Sequence, residues 1–406
     1  MPAGGARSGA PRFLLYSHDA LGLGHVRRNL VIADALVKSD PRASVILATS
    51  AEHADSLGVP DGVDLMRLPA VRKIDNGHYA PRRLQIPGAD LTALRAGILA
   101  AAVESYRPSV LLVDKHPLGI GGELSVALER LRELGGRAVL GLRDVLDDPA
   151  TVRAEWTQRR TEIVLEHYVR VLVYGKESVF DTLRRSALPP ELAARSCYCG
   201  YVTMPTSRDP GAARTIRGFG SGPRSRPIVL ATTGGGEDGQ RVLEAFIDAS
   251  AGAPWEAIAV TGPQLAPKEA RAIRRRAAAA GSAVRTFVPE LAGWFGAVGA
   301  LVCMGGYNTL AEALVRGTPT VCVPRTAPRS EQVIRARALA ALGLLQVVEP
   351  DGLSAETLRS EVATALTRSR PAIARAARQA LVFDGADVAA ESLLEQASMS
   401  RMRRAA

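Results

Sequence analysis

Apolar residues along this chain fall in short runs, each closed by a glycine or polar turn and followed by a stretch with helical spacing. Phe13-Leu14-Leu15-Tyr16-Ser17 reads as a first strand, Leu21-Gly22-Leu23-Gly24-His25 as a glycine-rich turn, and Val26 to about Val37 as a helix. Ser44 to Thr49, Val110 to Asp114, Ala138 to Leu142 and Val171 to Tyr174 continue the strands, with a helix near Glu123 to Leu134. Runs that are apolar throughout, without alternation, belong to strands buried on both faces. Alternating with helices, they predict a parallel sheet covered on both sides.

The pattern lapses over Thr206 to Pro227, which is rich in Gly, Ser, Pro and Arg and has no apolar period, and so reads as a linker. It then restarts. Ile228-Val229-Leu230-Ala231-Thr232 leads into Gly234-Gly235-Gly236, with further strands near Ala257 to Thr261, Val284 to Val288, Leu301 to Cys303, Thr320 to Val323 and Leu345 to Val348. The expected fold class is therefore α/β, with two doubly wound Rossmann-like domains facing across a cleft. The expected boundaries are 1–206, a linker at 207–226, 227–385, and a last segment 386–406. That segment holds a helix from about Ala386 to Gln396 and a basic tail with Arg401, Arg403 and Arg404. Both halves open as strand, glycine loop, helix; the repeat is architectural, not residue by residue. Ligands of open α/β sheets bind beyond the carboxyl ends of the strands, where all these glycine loops lie.

Composition narrows the picture a little. A chain of 406 residues suits two domains, and 47% hydrophobic with 23% charged residues suits a water-soluble one. The formal charge of +10 favours anionic partners such as nucleotides, nucleic acid or acidic lipid. Nucleic acid is disfavoured, because the arginines are scattered and form no recognition motif; Arg271, Arg274, Arg275 and Arg276 read as a solvated helix face. Cys303 and Cys322 sit in predicted strands, and the Cys197/Cys199 spacing is not that of a zinc site, so no metal is expected. Met1 to Pro11 lacks an apolar signal core and no apolar run reaches about 20 residues, which points to the cytoplasm. A peripheral membrane contact through Arg82, Arg83 and the stretch Leu91 to Ala102 competes with ordinary helix packing, the preferred reading.

The densest chemistry lies in Met304-Gly305-Gly306-Tyr307-Asn308-Thr309-Leu310-Ala311-Glu312, between a strand and a helix. Such a junction aims unpaired N–H groups and the positive end of a helix dipole at one point, and an anion such as a diphosphate fits there. Glu312, about one turn in, can accept hydrogen bonds from a ribose. The loop Gly234-Gly235-Gly236 offers a second close backbone approach. Neither loop has Walker or dinucleotide-fingerprint spacing. Glu331 and Gln332 open a later helix beside this site and suit the hydroxyls of a sugar.

In the first half, Gly22-Leu23-Gly24-His25 places an imidazole at a helix start, where the dipole lowers its pKa and suits it to general-base work; packing or capping is the alternative. His18 is a competitor. Arg27 and Arg28 read as surface or phosphate-facing groups. Asp114-Lys115 and Arg143 end strands, and can touch an acceptor or orient His25. Glu123 and Arg143 also read as ion-pair and capping residues, and Asp147-Asp148-Pro149 as a helix start.

These residues resemble the GT-B glycosyltransferases, specifically the peptidoglycan N-acetylglucosaminyltransferase (MurG-type) branch of glycosyltransferase family 28. Gly305 to Glu312, Gly317-Thr318-Pro319 and Glu331-Gln332 occur in family order. The loop Gly22-Leu23-Gly24-His25-Val26-Arg27-Arg28 looks closer still to a bacterial branch known mainly as predicted glycosyltransferases. The resemblance implies a metal-independent, inverting transfer of a sugar from a nucleotide diphosphate such as UDP to a hydroxyl, with no cofactor. The acceptor is a small molecule, a lipid-linked group or a glycan. Gly234 to Gly236 with Gly306, Tyr307, Asn308 and Thr309 would hold the diphosphate, Glu312 the ribose, Phe287 and Val288 the base, and Glu331 and Gln332 the sugar. His25 would handle the acceptor proton. Gly-Leu-Gly-His and Gly-Gly-Glu stand where the peptidoglycan enzymes have Gly-Gly-His and Ser-Gln, which leaves acceptor and sugar open. A nucleotide-sugar hydrolase or epimerase on the same scaffold, and a non-catalytic binder of anionic ligands, are the competing readings.

Overall fold

The computed structural model describes residues 9–18, 23–75, 78–186, 188–204, 211–219, 225–236 and 238–405. In the first half, β1 (Arg12–Tyr16), β2 (Ser44–Thr49) and β3 (Val63–Arg67) precede an antiparallel hairpin, β4 (Val71–Asp75) and β5 (His78–Pro81). β6 (Val110–Asp114), β7 (Arg137–Arg143), β8 (Tyr168–Tyr174) and β9 (Ser196–Tyr198) follow. Without the hairpin these strands form one parallel sheet in the order β3-β2-β1-β6-β7-β8-β9. The second half holds β10 (Ile228–Thr232), β11 (Glu256–Val260), β12 (Ala283–Arg285), β13 (Ala300–Cys303), β14 (Thr320–Cys322) and β15 (Gln346–Val347), ordered β12-β11-β10-β13-β14-β15. These are the two doubly wound units that the strand–helix alternation predicts. Phe13 to Tyr16 and Val110 to Val113 are fully buried, as strands covered on both faces must be.

In each sheet the strand order reverses beside the first strand, between β1 and β6 and between β10 and β13. Loops leaving neighbouring strands there part to opposite faces and open a crevice. His18 and Asp114 lie at the first reversal, and the loops at 233–236 and 304–306 at the second. The predicted strand Val284 to Val288 ends at Arg285, so Phe287 and Val288 stand on the loop beyond it.

Two segments differ from the sequence reading. The linker contains a helix, Ala212–Arg217, with Ala212 and Ile216 buried one turn apart. It packs on Ala292–Phe295, and that pair of apolar positions is too short a period to stand out among Gly and Arg. The last helix runs over Gly385–Ala405, through what reads as a basic tail. It lies on the first half, against the helix Gly24–Ser39 and against β6 and β7. Gln396 accepts a hydrogen bond from Arg137 at 2.8 Å, Ser400 donates to the Gly135 carbonyl at 2.7 Å, and Arg404 donates to the Pro108 carbonyl at 2.9 Å. The chain thus crosses between the halves twice. The crossings touch: Tyr201 N–H donates to the Val382 carbonyl at 2.9 Å. Among the described residues no helix is long and apolar enough to cross a membrane.

Candidate active site between the two sheets

A cleft of about 960 Å³ runs between the halves, lined from both. That is the upper end of the size usual for small-molecule sites.

On the first side, His25 is the second residue of the helix Gly24–Ser39. With its proton on Nδ1 it donates to Asp114 Oδ2 at 2.5 Å, leaving Nε2 free to accept. Burial pushes the imidazole down to about 4; Asp114 pulls it back up, and Arg28 and Arg143 oppose that pull. Burial is the largest of these causes. Burial would raise Asp114, but the Arg28 guanidinium, at 2.6 and 2.8 Å from its two oxygens, and His25 hold it well below the usual carboxylate range. His18 is also buried and lowered, by burial first and then by His116 and Lys115, and its Nε2 is 3.3 Å from Tyr79 Oη. Among the described residues no carboxylate contacts it, whereas His25 has Asp114 to stabilise an imidazolium. Lys115 is pushed down to about 8 by burial and Arg143, with Glu331 acting the other way.

On the second side, Gly305 takes φ +84°, and a Cβ there would sit 3.1 Å from Cys322 Sγ and 3.2 Å from the Gln332 carbonyl. Only glycine lets the chain turn into the helix Tyr307–Val315. Gly306 caps that helix with no side-chain hydrogen bond, so its first-turn N–H groups meet the cleft uncapped. Gly236 closes the other loop at φ +99°, where a Cβ would collide with the Thr261 carbonyl at 2.2 Å. Asn308 Nδ2 donates across the cleft to the Gly24 carbonyl at 2.9 Å.

The comparisons bear on this geometry. No family model matches the chain. The UDP-N-acetylglucosamine–N-acetylmuramyl-(pentapeptide) pyrophosphoryl-undecaprenol N-acetylglucosamine transferase of Paenarthrobacter aurescens is 27% identical over 369 residues, 86% of each protein. The crystal structure of Acinetobacter baumannii MurG matches with a TM-score of 0.59 at 13% identity, over 95% of this chain and 99% of that one. The chain is a glycosyltransferase of the GT-B fold, similar over most of its length to MurG-like transferases. A Listeria monocytogenes structure named for UDP-N-acetylglucosamine 2-epimerase shares the fold at TM-score 0.59 and 12% identity, over 96% of both chains.

Within this glycosyltransferase, Gly234, Gly235, Gly236, Phe287, Val288, Gly306, Tyr307, Asn308, Thr309, Glu312, Glu331 and Gln332 all line the cleft with His18, Gly24, His25, Lys115 and Arg143. Asp114 and Gly305 stand behind its wall, so Asp114 faces His25 and not an acceptor. Gly22 lies outside the described residues. Glu312 is more committed than its position predicts. Its Oε1 accepts from Met204 N–H at 2.7 Å, its Oε2 pairs with Arg316, and Arg27 is 4.0 Å away. Glu331 is likewise engaged, 2.5 Å from Arg143, and is held down to about 2 against the effect of burial by Arg143 and Arg335. Phe287 is stacked on His53 of the first half, centroids 6.0 Å apart.

Some partnerships cross between the halves and escape sequence reasoning. Arg335 binds Asp144 at 2.8 Å and the Gly305 carbonyl at 3.2 Å. Asp147 accepts from Arg329 at 2.9 Å and from Ser330 N–H at 2.8 Å. Asp148 caps the helix Pro149–Glu155, as its Asp-Pro spacing predicts. Arg28, read as a surface or phosphate-facing group, is 2% exposed. Arg95 and Tyr16 hold Glu123 at 2.5 and 2.6 Å beneath the loop after β6, an ion-pair role.

Proposed function

We propose that this enzyme transfers a sugar from a UDP-linked donor to a hydroxyl acceptor with inversion at the anomeric carbon and without a metal. The reading rests on one juxtaposition: a buried His25–Asp114 dyad faces two glycine-lined backbone loops across a single cleft. The acceptor hydroxyl gives its proton to His25 Nε2 while its oxygen attacks the anomeric carbon. The bond from that carbon to the diphosphate oxygen breaks, and UDP leaves with the electron pair. Asp114 stabilises the imidazolium as it forms. The N–H groups of residues 306–309 and 234–236 stabilise the charge growing on the leaving diphosphate, a role that preorganised dipoles fill without reorganising. His25 and the diphosphate loops stand on opposite walls of the cleft, which gives room for in-line attack opposite the leaving diphosphate, the geometry of inversion. The named activity of the Paenarthrobacter relative, on a UDP-sugar, supports uracil as the base.

The test is a thermal-shift screen over nucleotide diphosphates and nucleotide sugars, followed by an assay of UDP release with and without an acceptor panel. Acceptor-dependent release supports transfer; release of free sugar at full rate without acceptor makes the enzyme a hydrolase. Chelation with EDTA is expected to leave the rate unchanged, and a loss restored by Mg²⁺ would refute the metal-free mechanism. Glu312→Ala is expected to weaken UDP binding by about 1–3 kcal/mol, the scale of a hydrogen bond lost to a charged group. Calorimetry with UDP measures this, and wild-type affinity would remove Glu312 from the ribose site.

A further inference from the structure

Arg28 stands one turn beyond His25 on the same helix and is almost wholly buried. A guanidinium out of water is costly unless its partners are many and well placed. Its Nη2 reaches both Asp114 oxygens, at 2.6 and 2.8 Å, and lies 3.1 Å from His25 Nδ1, so histidine and arginine share one carboxylate. The same group lies 5.0 Å from the ring centre of Tyr174 on β8 and 5.5 Å from that of Tyr307. Tyr307 opens the helix whose N–H groups face the leaving diphosphate. It is held in turn by Arg335 at 5.7 Å and by a hydrogen bond from Val202 N–H at 2.9 Å.

We propose that Arg28 is a positioning residue for the transfer: it locks the Asp114 carboxylate in the orientation His25 needs and braces the dyad against Tyr307 in the donor half. The inference rests on His25 being the base. A carboxylate bonded to histidine alone keeps a free torsion. Arg28 Nη2, bonded to both oxygens and carried on a planar group set against the Tyr174 and Tyr307 rings, removes it and with it the wobble of Nε2. The cation also opposes charge on the ring. Asp114 on β6, Arg28 on the ring's own helix, Arg143 at the end of β7, and His18 and His116 on the loops after β1 and β6 face His25. Of these Asp114 favours the imidazolium, and Arg28 and Arg143 disfavour it. The base is thus neutral and ready between turnovers.

The experiment compares Arg28→Gln, Arg28→Lys and Tyr307→Leu with His25→Ala in the full chain, reading kcat against pH and UDP affinity by calorimetry. Arg28→Gln is expected to lower kcat about 10²-fold, the scale of a misplacement of about 1 Å, with UDP affinity close to wild type because Val202 and Arg335 still hold Tyr307. Its acid limb is expected to move to higher pH, because the imidazolium loses an opposing cation. Arg28→Lys is expected to keep the limb where it is and still lose kcat, since an ammonium has no planar face to set against the Tyr174 and Tyr307 rings. The double variant Arg28→Gln/Tyr307→Leu is expected to fall short of the product of the single losses, since both break one brace. An unmoved limb in folded Arg28→Gln, or wild-type kcat in Arg28→Lys, overturns the proposal. If Arg28→Gln does not fold, Arg28→Lys decides alone. A His25→Ala variant with wild-type turnover would instead refute the base assignment; an inactive one beside an unmoved Arg28→Gln limb would refute only the role of Arg28.

Discussion

His25→Ala is expected to lower kcat by about 10²–10⁴-fold, the contribution of a positioned general base. UDP affinity should stay at the wild-type value, because the imidazole belongs to the half of the cleft opposite the glycine loops. His18→Ala is the control. That ring is 5.8 Å from His25 and close to His116, and among the described residues no carboxylate is placed to stabilise a proton it receives. If His18→Ala abolishes turnover and His25→Ala does not, the base has been assigned to the wrong histidine. The pH profile adds a second constraint. The neutral ring is the active form, so kcat/KM should fall as pH drops through the free-enzyme value of about 4, well below the 6.5 of an ordinary histidine. An acid limb near 6.5 would mean that water reaches the ring far more freely than its burial allows. Asp114→Asn should raise no new limb but should remove the group that stabilises the imidazolium, so its loss should approach that of His25→Ala.

The strands were legible because two-sided burial leaves an unmistakable mark: β1, β6, β10 and β13 are apolar at nearly every position. From strands alternating with helices follow the parallel sheets, and from parallel sheets follows the edge at which ligands bind. Residues at strand ends could therefore be named as site residues one by one. Their partnerships could not. His25 and Asp114 are 89 positions apart, Asp144 and Arg335 191. No local pattern links such residues: the reversal of strand order brings His25 to Asp114, and the meeting of the two halves brings Arg335 to Asp144. Arg28 is a different case. Its spacing of three from His25 places both on one helix face, so its share in the dyad was open to inference. Two arginines in a row, however, read naturally as solvent-facing, and only burial distinguishes Arg28 from Arg27. The extension of the last helix was hidden for a related reason. Arg401 and Arg404 look like a tail until the Gly9, Arg107 and Pro108 carbonyls that they bind are in place.

Asp144→Ala is expected to cost about 3–5 kcal/mol, the penalty for leaving one partner of a buried ion pair alone. Asp144 and Arg335 are each 1% exposed and belong to opposite halves, so the loss falls on the interface and not on either sheet. Denaturant unfolding should show it as a splitting: one transition in the wild type, and an earlier separate one for the weaker half in the variant. Adding Arg335→Met should restore much of the stability, since it removes the stranded cation and supplies apolar volume. It should not restore donor affinity, because Arg335 also binds the Gly305 carbonyl and packs on Tyr307, which shape the diphosphate loop. Stability and donor binding should therefore part company in the double variant. If Asp144→Ala unfolds like the wild type, water must already fill this contact, and the halves in solution stand further apart than the 2.8 Å bond between Asp144 and Arg335 requires. His25 would then have to travel to meet the donor, and domain closure would become a step of the reaction. If the full penalty appears, the base and the diphosphate loops already face one another before substrate arrives, and binding costs no interdomain rearrangement.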